Sequence, residues 1–447
     1  MNRIGELFRL KIVLPFAEKL IGTRASYWYR QIENMKQWSR EDVLAWQNAH
    51  LQSFVKHAYE HTAYYKSLFD TLGLKPYDIR CIDDLKKLPV VNKMIVNQQH
   101  DKFIPDNIQR FNFRSCKTGG TTGEPMLFFC DEDTWGYVNA AKIFAWKTTT
   151  YQYGDPFVAL GSASLFSQKA SLPRRLYDKI RNEVALNSVN LDDARCKEYI
   201  SIIKKNKIKF LYGYAGSIFV FARYISLHKV DMSQIEAVFT TSETLTDSYR
   251  TFIEQVFGCK VMDCYGARDA GMNAYEIERN SYHVGYNCIT EIVNEIEPNV
   301  GSVLTTNILN YSFPLIRYQF GDEAELASSV DESEYNGQVI RRVLGRTSDV
   351  MRLGNGRNLT ATGFSMIMKE FDIVAFDVRK KDDLEVVLRI QPVVGKYSFE
   401  QEDKIVKTIK NYIGEDCKLV VEHVESFEPL KNGKRRYFYN ESSVSDD

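Results

Sequence analysis

The chain has 447 residues, more than one ordinary hydrophobic core accommodates, so its length implies two or three domains. Its 58 basic and 58 acidic side chains cancel, which excludes an overall positive field that would hold nucleic acid or an anionic surface. Apolar residues make up 44%, the proportion of a globular chain, which excludes general disorder.

The first 22 residues are apolar but broken by Glu6, Arg9, Lys11, Glu18 and Lys19. No run reaches the roughly 18–20 apolar residues of a membrane span, and the pattern is not that of a secretory signal. An amphipathic helix lying on the body is expected. Residues 41–70 read as helix, with Leu51, Phe54, Val55, Ala58 and Tyr59 on one apolar face. The aromatics Tyr59, Tyr64, Tyr65 and Phe69 read as core. A loop follows and ends at Leu88-Pro89-Val90-Val91-Asn92-Lys93.

Next comes Thr118-Gly119-Gly120-Thr121-Thr122-Gly123-Glu124-Pro125. Glycines let backbone N–H groups converge on one point, and threonine hydroxyls add donors and acceptors around it. On its own the stretch fits a tight turn and a phosphate loop equally. It is not a Walker loop, because G-x-x-x-x-G-K-[S/T] is absent from the chain.

Beyond it, 133–147 reads as helix and 157–161 as a buried strand. The basic stretch 197–209 is a solvated helix face. Residues 210–217 form a strand passing into a turn, followed by a helix over 218–228. Residues 235–241 form a strand ending in Ser242-Glu243-Thr244. A helix over 246–257 ends before Gly258, and a strand over 260–264 runs into Tyr265-Gly266. Strand, helix and strand of this length make a crossover unit with parallel strands. Ligands in such sheets bind at the carboxyl ends, which places Ser242–Thr244 beside Tyr265–Asp269. Residues 291–326 turn to β texture. Residues 371–423 read as a β-β-α-β unit with a capping box from Ser398 to Gln401. The tail carries Gly433-Lys434-Arg435-Arg436 and ends in a frayed acidic stretch over 441–447.

The eight cysteines, Cys81, Cys116, Cys130, Cys196, Cys259, Cys264, Cys288 and Cys417, are scattered without a C-x-x-C, and the histidines do not join them at zinc spacing. Reduced thiols of a cytoplasmic protein fit better than a disulfide scaffold.

Five stretches in order, TGGTTGEP at 118–125, YGARD at 265–269, RYQFGD at 317–322, GRTSD at 345–349 and NGKRR at 432–436, resemble the motifs of the adenylate-forming (AMP-binding) superfamily. The helix, tyrosine pair and L-P-x-x-x-K near the start resemble the branch of phenylacetate–CoA ligase and CapK. The resemblance spans roughly residues 40–440. The chain departs from the family at Asp269, where relatives carry glutamate. It also departs at Met126, lysine in many relatives, and at Arg352-Leu353-Gly354-Asn355-Gly356, where an R-G is usual.

The resemblance implies an α/β chain: a large N-terminal αβ sandwich domain over 1–345, with a helical extension over 1–95, and a small mobile C-terminal α+β domain over 346–447, hinged near Asp349. It implies activation of a carboxylic acid by ATP with release of pyrophosphate, then acyl transfer to coenzyme A or to another thiol, amine or hydroxyl acceptor. Thr118, Gly119, Gly120, Thr121, Thr122 and Gly123 would cradle phosphates, with Thr121 in a catalytic role. Asp269 would hold Mg²⁺. Ser242, Glu243, Thr244, Tyr265 and Gly266 would line the nucleotide or acyl site. Asp322 would take the ribose hydroxyls and Arg346 ribose or phosphate. Lys434 would enter from the small domain as a catalytic charge. The CapK likeness implies a place in capsule or surface polysaccharide biosynthesis. Two rivals stay open: an adenylyltransferase whose adenylylated acceptor is the final product, and a catalytically silent scaffold. Nucleic acid and an integral membrane segment are not expected, and a homodimer is left open.

Overall fold

The computed structural model describes residues 3–118, 126–161, 171–188, 191–328, 334–346, 350–360, 368, 371–393, 395–427 and 437–441. Its main feature is a mixed sheet, twelve-stranded among the described residues. The four strands Phe157–Gly161, Phe210–Tyr214, Ala237–Thr241 and Lys260–Ala267 run parallel, with Glu183–Asn187 parallel on the outer edge. Both faces of this half are covered, so its strands are apolar almost throughout. Phe157, Ala159, Phe210, Ala237, Phe239 and Met262 face one core, against the helix Glu132–Trp146 and the N-terminal helices. Val158, Leu160, Leu211, Val238 and Val261 face a second core. The helices Asp193–Lys205, Ala215–Leu227 and Asp247–Phe257 supply its other side.

The expected crossover is present. Thr246 caps the helix Asp247–Phe257 by accepting from Tyr249 N–H at 3.2 Å, and Gly258 ends it at φ 66°. The strand expected over 260–264 continues to Ala267, because it pairs antiparallel with Met272–Glu278 across the YGARD turn. The antiparallel half of the sheet continues through Ser281–Val284, Val339–Arg346, Tyr318–Leu326, Val300–Asn307 and Cys288–Glu297. Val91–Asn92 joins it parallel to Tyr318–Leu326.

Two helices replace the single one expected over 41–70. Arg40–His61 stops at Thr62, which is extended at φ −120° and whose hydroxyl caps Ala63–Leu72 by accepting from Tyr65 N–H. The helix expected from Ile218 starts at Ala215. The N-terminal helical run does lie on the body, burying Leu10, Leu14 and Ala17. Among the described residues no helix is long and apolar enough to cross a membrane.

A separate four-stranded sheet forms from Ile373–Asp382, Glu385–Pro392, Lys418–His423 and Phe438–Asn440. The helix Phe399–Ile413 packs on it through Ile405, Ile409 and Ile413, giving this part its own hydrophobic cluster. Ser398 caps that helix as expected, accepting from Gln401 N–H at 3.3 Å. The Gln401 side chain reaches instead to Asp372, accepting its N–H at 3.0 Å and donating to its carboxylate at 2.8 Å. The short last strand, parallel to Ile373–Asp382, was not expected.

One buried ion pair fixes the strand that carries YGARD. Arg250 donates to Glu276 at 2.6 Å and to the Val261 carbonyl at 2.8 Å, while Glu276 also accepts from the N–H groups of Asp263 and Asn280. Removing one partner leaves the other charge buried alone. We expect Arg250→Met to lower stability by about 3–5 kcal/mol in denaturant titration, and Arg250→Met with Glu276→Leu to recover most of it.

Candidate active site

The strands Phe113–Lys117 and Leu127–Asp131 form a hairpin whose arms are closed by Thr118 and Met126. Thr118 N–H donates to the Met126 carbonyl at 3.0 Å, and the Thr118 hydroxyl accepts from Met126 N–H at 2.9 Å. Gly119, Gly120, Thr121, Thr122 and Gly123 lie outside the described residues, so the structure reaches the base of the expected phosphate loop and not its rim.

That base is tied to YGARD. Tyr318, fully buried, donates its hydroxyl to the Asp269 carboxylate at 2.9 Å and stands 3.6 Å from the Met126 sulfur. Asp269 is half-buried in the turn between Lys260–Ala267 and Met272–Glu278. Gly271 closes this turn at φ 61°, where a side chain would strike Asn307. Gly266 has a local reason as well: a Cβ there would meet the Met272 carbonyl at 2.6 Å. Two guanidinium groups stand nearby. Arg114 on the hairpin and Arg268 in the turn lie 5.6 and 5.7 Å from the Trp135 ring centre.

A second pairing joins the remaining motifs. Tyr265 donates its hydroxyl to Asp322 at 3.1 Å, and Asp322 is 8% exposed. Asp322 pairs in register with Arg346 on the neighbouring strand, and Glu323 with Gly345. A Cβ on Gly345 would stand 3.5 Å from the Thr244 hydroxyl, which brings the end of the Ala237–Thr241 strand to the GRTSD stretch. Thr241 and Cys264 are register partners, so Ser242–Thr244 leave the sheet beside Tyr265, which stays in it, paired with Ala274.

Thr118, Asp269, Tyr265, Gly266, Asp322, Thr244 and the backbone of Arg346 are thus connected at one end of the sheet. Ser242 is exposed there in left-handed backbone at φ 66°, a conformation that costs a non-glycine residue about 1–2 kcal/mol. Glu243 accepts from Gly216 N–H at 2.7 Å in the first turn of the helix Ala215–Leu227. Lys434 and the Asp349 hinge lie outside the described residues. His283 stacks on Tyr335 at 4.1 Å, and burial pushes it down to about 4, so it is neutral near pH 7.

The sequence reading did not single out Tyr318 or Arg317. Arg317 is left-handed at φ 54°, and its buried guanidinium donates to the Leu88 carbonyl at 2.5 Å and to Glu291 at 3.1 Å. Val91 N–H donates to the Arg317 carbonyl at 3.1 Å. The signal was present, since both residues open RYQFGD, and the L-P-x-x-x-K stretch turns out to be their strand partner.

No family model matches the chain. It is 24% identical over 427 residues to Protein CapK of Staphylococcus aureus, which covers 93% of this chain and 92% of that relative. It is 21% identical over 421 residues to a phenylacetate-coenzyme A ligase of Pseudomonas putida, covering 88% of this chain and 92% of the relative. Its fold is similar to that of a 2-hydroxyisobutyryl-CoA ligase in the postadenylation state in complex with 2-HIB-AMP, at TM-score 0.69 and 16% identity, with 89% of each chain covered. These likenesses run along nearly the whole chain and support the adenylate-forming superfamily, on the branch of CapK and the phenylacetate–coenzyme A ligases.

Proposed function

We propose that the chain activates a small carboxylic acid with ATP and passes the acyl group to coenzyme A or another nucleophile. The observation that carries this reading is the Tyr318 hydroxyl, which couples Asp269 to the base of the 118–126 hairpin. In the first step a carboxylate oxygen bonds to the α-phosphorus, the bond to the bridging oxygen breaks, and pyrophosphate leaves. In the second, the nucleophile bonds to the acyl carbon, gives up its proton, and AMP leaves.

Both reactants are anions, so the protein must offset charge where they meet. Thr118, Thr121, Thr122 and the glycines between them hold the β- and γ-phosphates. Asp322 accepts from the ribose hydroxyls, with Tyr265 fixing its carboxylate. Ser242, Thr244, Tyr265 and Gly266 line the nucleotide and acyl site, and Arg346 reaches ribose or phosphate. Among the described residues no three metal-binding side chains are grouped. One carboxylate is nonetheless the donor set a magnesium ion accepts beside phosphate, because it keeps water and phosphate oxygens as its other ligands. Asp269, oriented by Tyr318, would hold it, and its chemistry is to neutralise phosphate charge. Lys434 reaches the α-phosphate from the small sheet, which pivots near Asp349.

The likeness to CapK supports an acceptor in capsule or surface polysaccharide assembly, hence a sugar amine or hydroxyl in place of a thiol. Such a step uses cytoplasmic ATP. The test is exchange of labelled pyrophosphate into ATP across a panel of carboxylic acids, followed by product analysis with and without coenzyme A. Acid-dependent exchange and AMP release are expected. A stable adenylylated product without AMP would point to adenylyl transfer, and no exchange with any acid to a silent scaffold.

Two substitutions separate the roles. Lys434→Ala should cut exchange about a thousandfold, the worth of one unit charge at about 4 Å in an effective dielectric of about 20, with ATP affinity within about twofold. Unchanged turnover would reduce Lys434 to a solvated charge. Tyr318→Phe should raise the KM for MgATP about tenfold while costing about 1.5–3 kcal/mol of stability, as expected for one hydrogen bond to a carboxylate. An unaltered KM beside a lowered melting temperature would make Tyr318 structural only.

A further inference from the structure

Lys142 stands one turn before the end of the helix Glu132–Trp146. Its ammonium lies 5.2 Å from the Tyr212 ring centre and 5.5 Å from that of Trp146. Trp146 in turn stacks on Phe239 at 4.2 Å, so the ammonium sits against the helix-covered face of the parallel strands. Lys142 and Tyr212 are only half-buried, although Trp146, Phe157, Phe239 and Cys264 around them are buried. The two therefore keep surface open to solvent beside this buried cluster.

That surface lies beside the strand ends that carry the candidate site. The Tyr212 hydroxyl is close enough to Thr241, Cys264 and Arg268 to feel each of them. Those three residues immediately precede Ser242, Tyr265 and Asp269. Tyr212 therefore neighbours both the lysine and the residues that lead into the site.

Of the cations in this region, Lys142 is held differently from its neighbours. Arg181 has Glu183 at 3.4 Å, both nearly buried, and Arg174 has Asp178 at 2.7 Å. Lys142 has no ion pair or hydrogen bond among the described residues, only the two aromatic faces. Burial, with repulsion from Arg181, pulls it down to about 7, and Glu183 acts the other way. Aromatic faces offset part of the cost of burying an ammonium, whereas a carboxylate from a ligand would offset far more.

We propose that the acid this chain activates carries a second anionic group, a carboxylate at its distal end, and that Lys142 is the residue that selects it. The inference rests on the acid-activation reading above. An acid that is apolar throughout would leave the ammonium uncompensated beneath its tail.

The test uses the full chain and pyrophosphate exchange with matched acids: butyrate against succinate, valerate against glutarate, hexanoate against adipate, and phenylacetate against 4-carboxyphenylacetate. For at least one pair the diacid should have a kcat/KM about 30-fold above that of the monoacid, a preference within the range of buried charge pairs. Lys142→Met should abolish that preference with the KM for MgATP unchanged, and Lys142→Arg should keep most of it. Equal or better use of the monoacid in every pair by the unaltered chain overturns the role of Lys142 and leaves acid activation standing, and this arm needs no variant to fold. A preference that survives Lys142→Met also overturns it. Exchange with none of the eight acids overturns the diacid proposal, and only its absence across the wider acid panel as well overturns acid activation.

Discussion

The hydrogen bond from Tyr318 to Asp269 is the contact on which the candidate site depends. It joins the turn after the last parallel strand to the first strand of RYQFGD, and through Met126 to a hairpin 192 residues earlier. A carboxylate that must meet phosphate oxygens is repelled by them unless donors fix its position. Tyr318 can act as that donor because its own backbone is held on both sides. Arg317 before it is locked by Leu88 and Glu291, and Val91 pairs with Tyr318 itself. The N-terminal helices enter the same arrangement, since the Tyr65 hydroxyl accepts from Ile316 N–H at 2.7 Å. An aromatic residue that reads as ordinary core in the helical extension thus buttresses the strand that aims Tyr318.

Most of the fold was legible because its elements are local. The parallel strands are short apolar runs between capped helices, and Gly258 marks the end of one helix to the residue. Where sequence and structure part, the deciding contact is either polar or distant. Thr62 divides the helix expected over 41–70 by a side-chain cap that leaves the apolar period unbroken on either side. The strand Phe438–Asn440 is three residues long and exists through its parallel partner, which no local pattern records. In the site, Asp322 and Arg346 were found by motif, but their register pairing belongs to the sheet. Tyr318 was missed because a buried tyrosine that aims its hydroxyl at a carboxylate has the same sequence pattern as one that fills a core.

The buried charges fall into two groups with different roles. Arg250 with Glu276, Arg317 with Glu291 and Arg181 with Glu183 are cation–carboxylate pairs within 3.4 Å, and each spans separate segments or a turn. Pairs of this kind add little net stability over apolar packing, yet breaking one is costly, so they fix geometry more than they strengthen the fold. Lys142 is different in lacking a carboxylate partner among the described residues while sharing its surroundings with the strand ends. A structural cation would be expected to have such a partner by the time the chain has folded. One that waits is matched to something that arrives later.

The division between the two sheets carries the last step. Everything bonded into the candidate site belongs to the large sheet or the hairpin on it. The small sheet has its own cluster, built around Ile405, Ile409 and Ile413, and so holds its shape by itself. Its final strand is fastened at Tyr437, whose carbonyl accepts from Val378 N–H at 2.7 Å, three residues beyond Lys434. In the proposed reaction Lys434 would act from the small sheet on carboxylates carried by the large one. That separation suits a charge needed in one half-reaction only. A lysine rooted in the large sheet would face the bound adenylate throughout and would stand where the acceptor nucleophile has to approach.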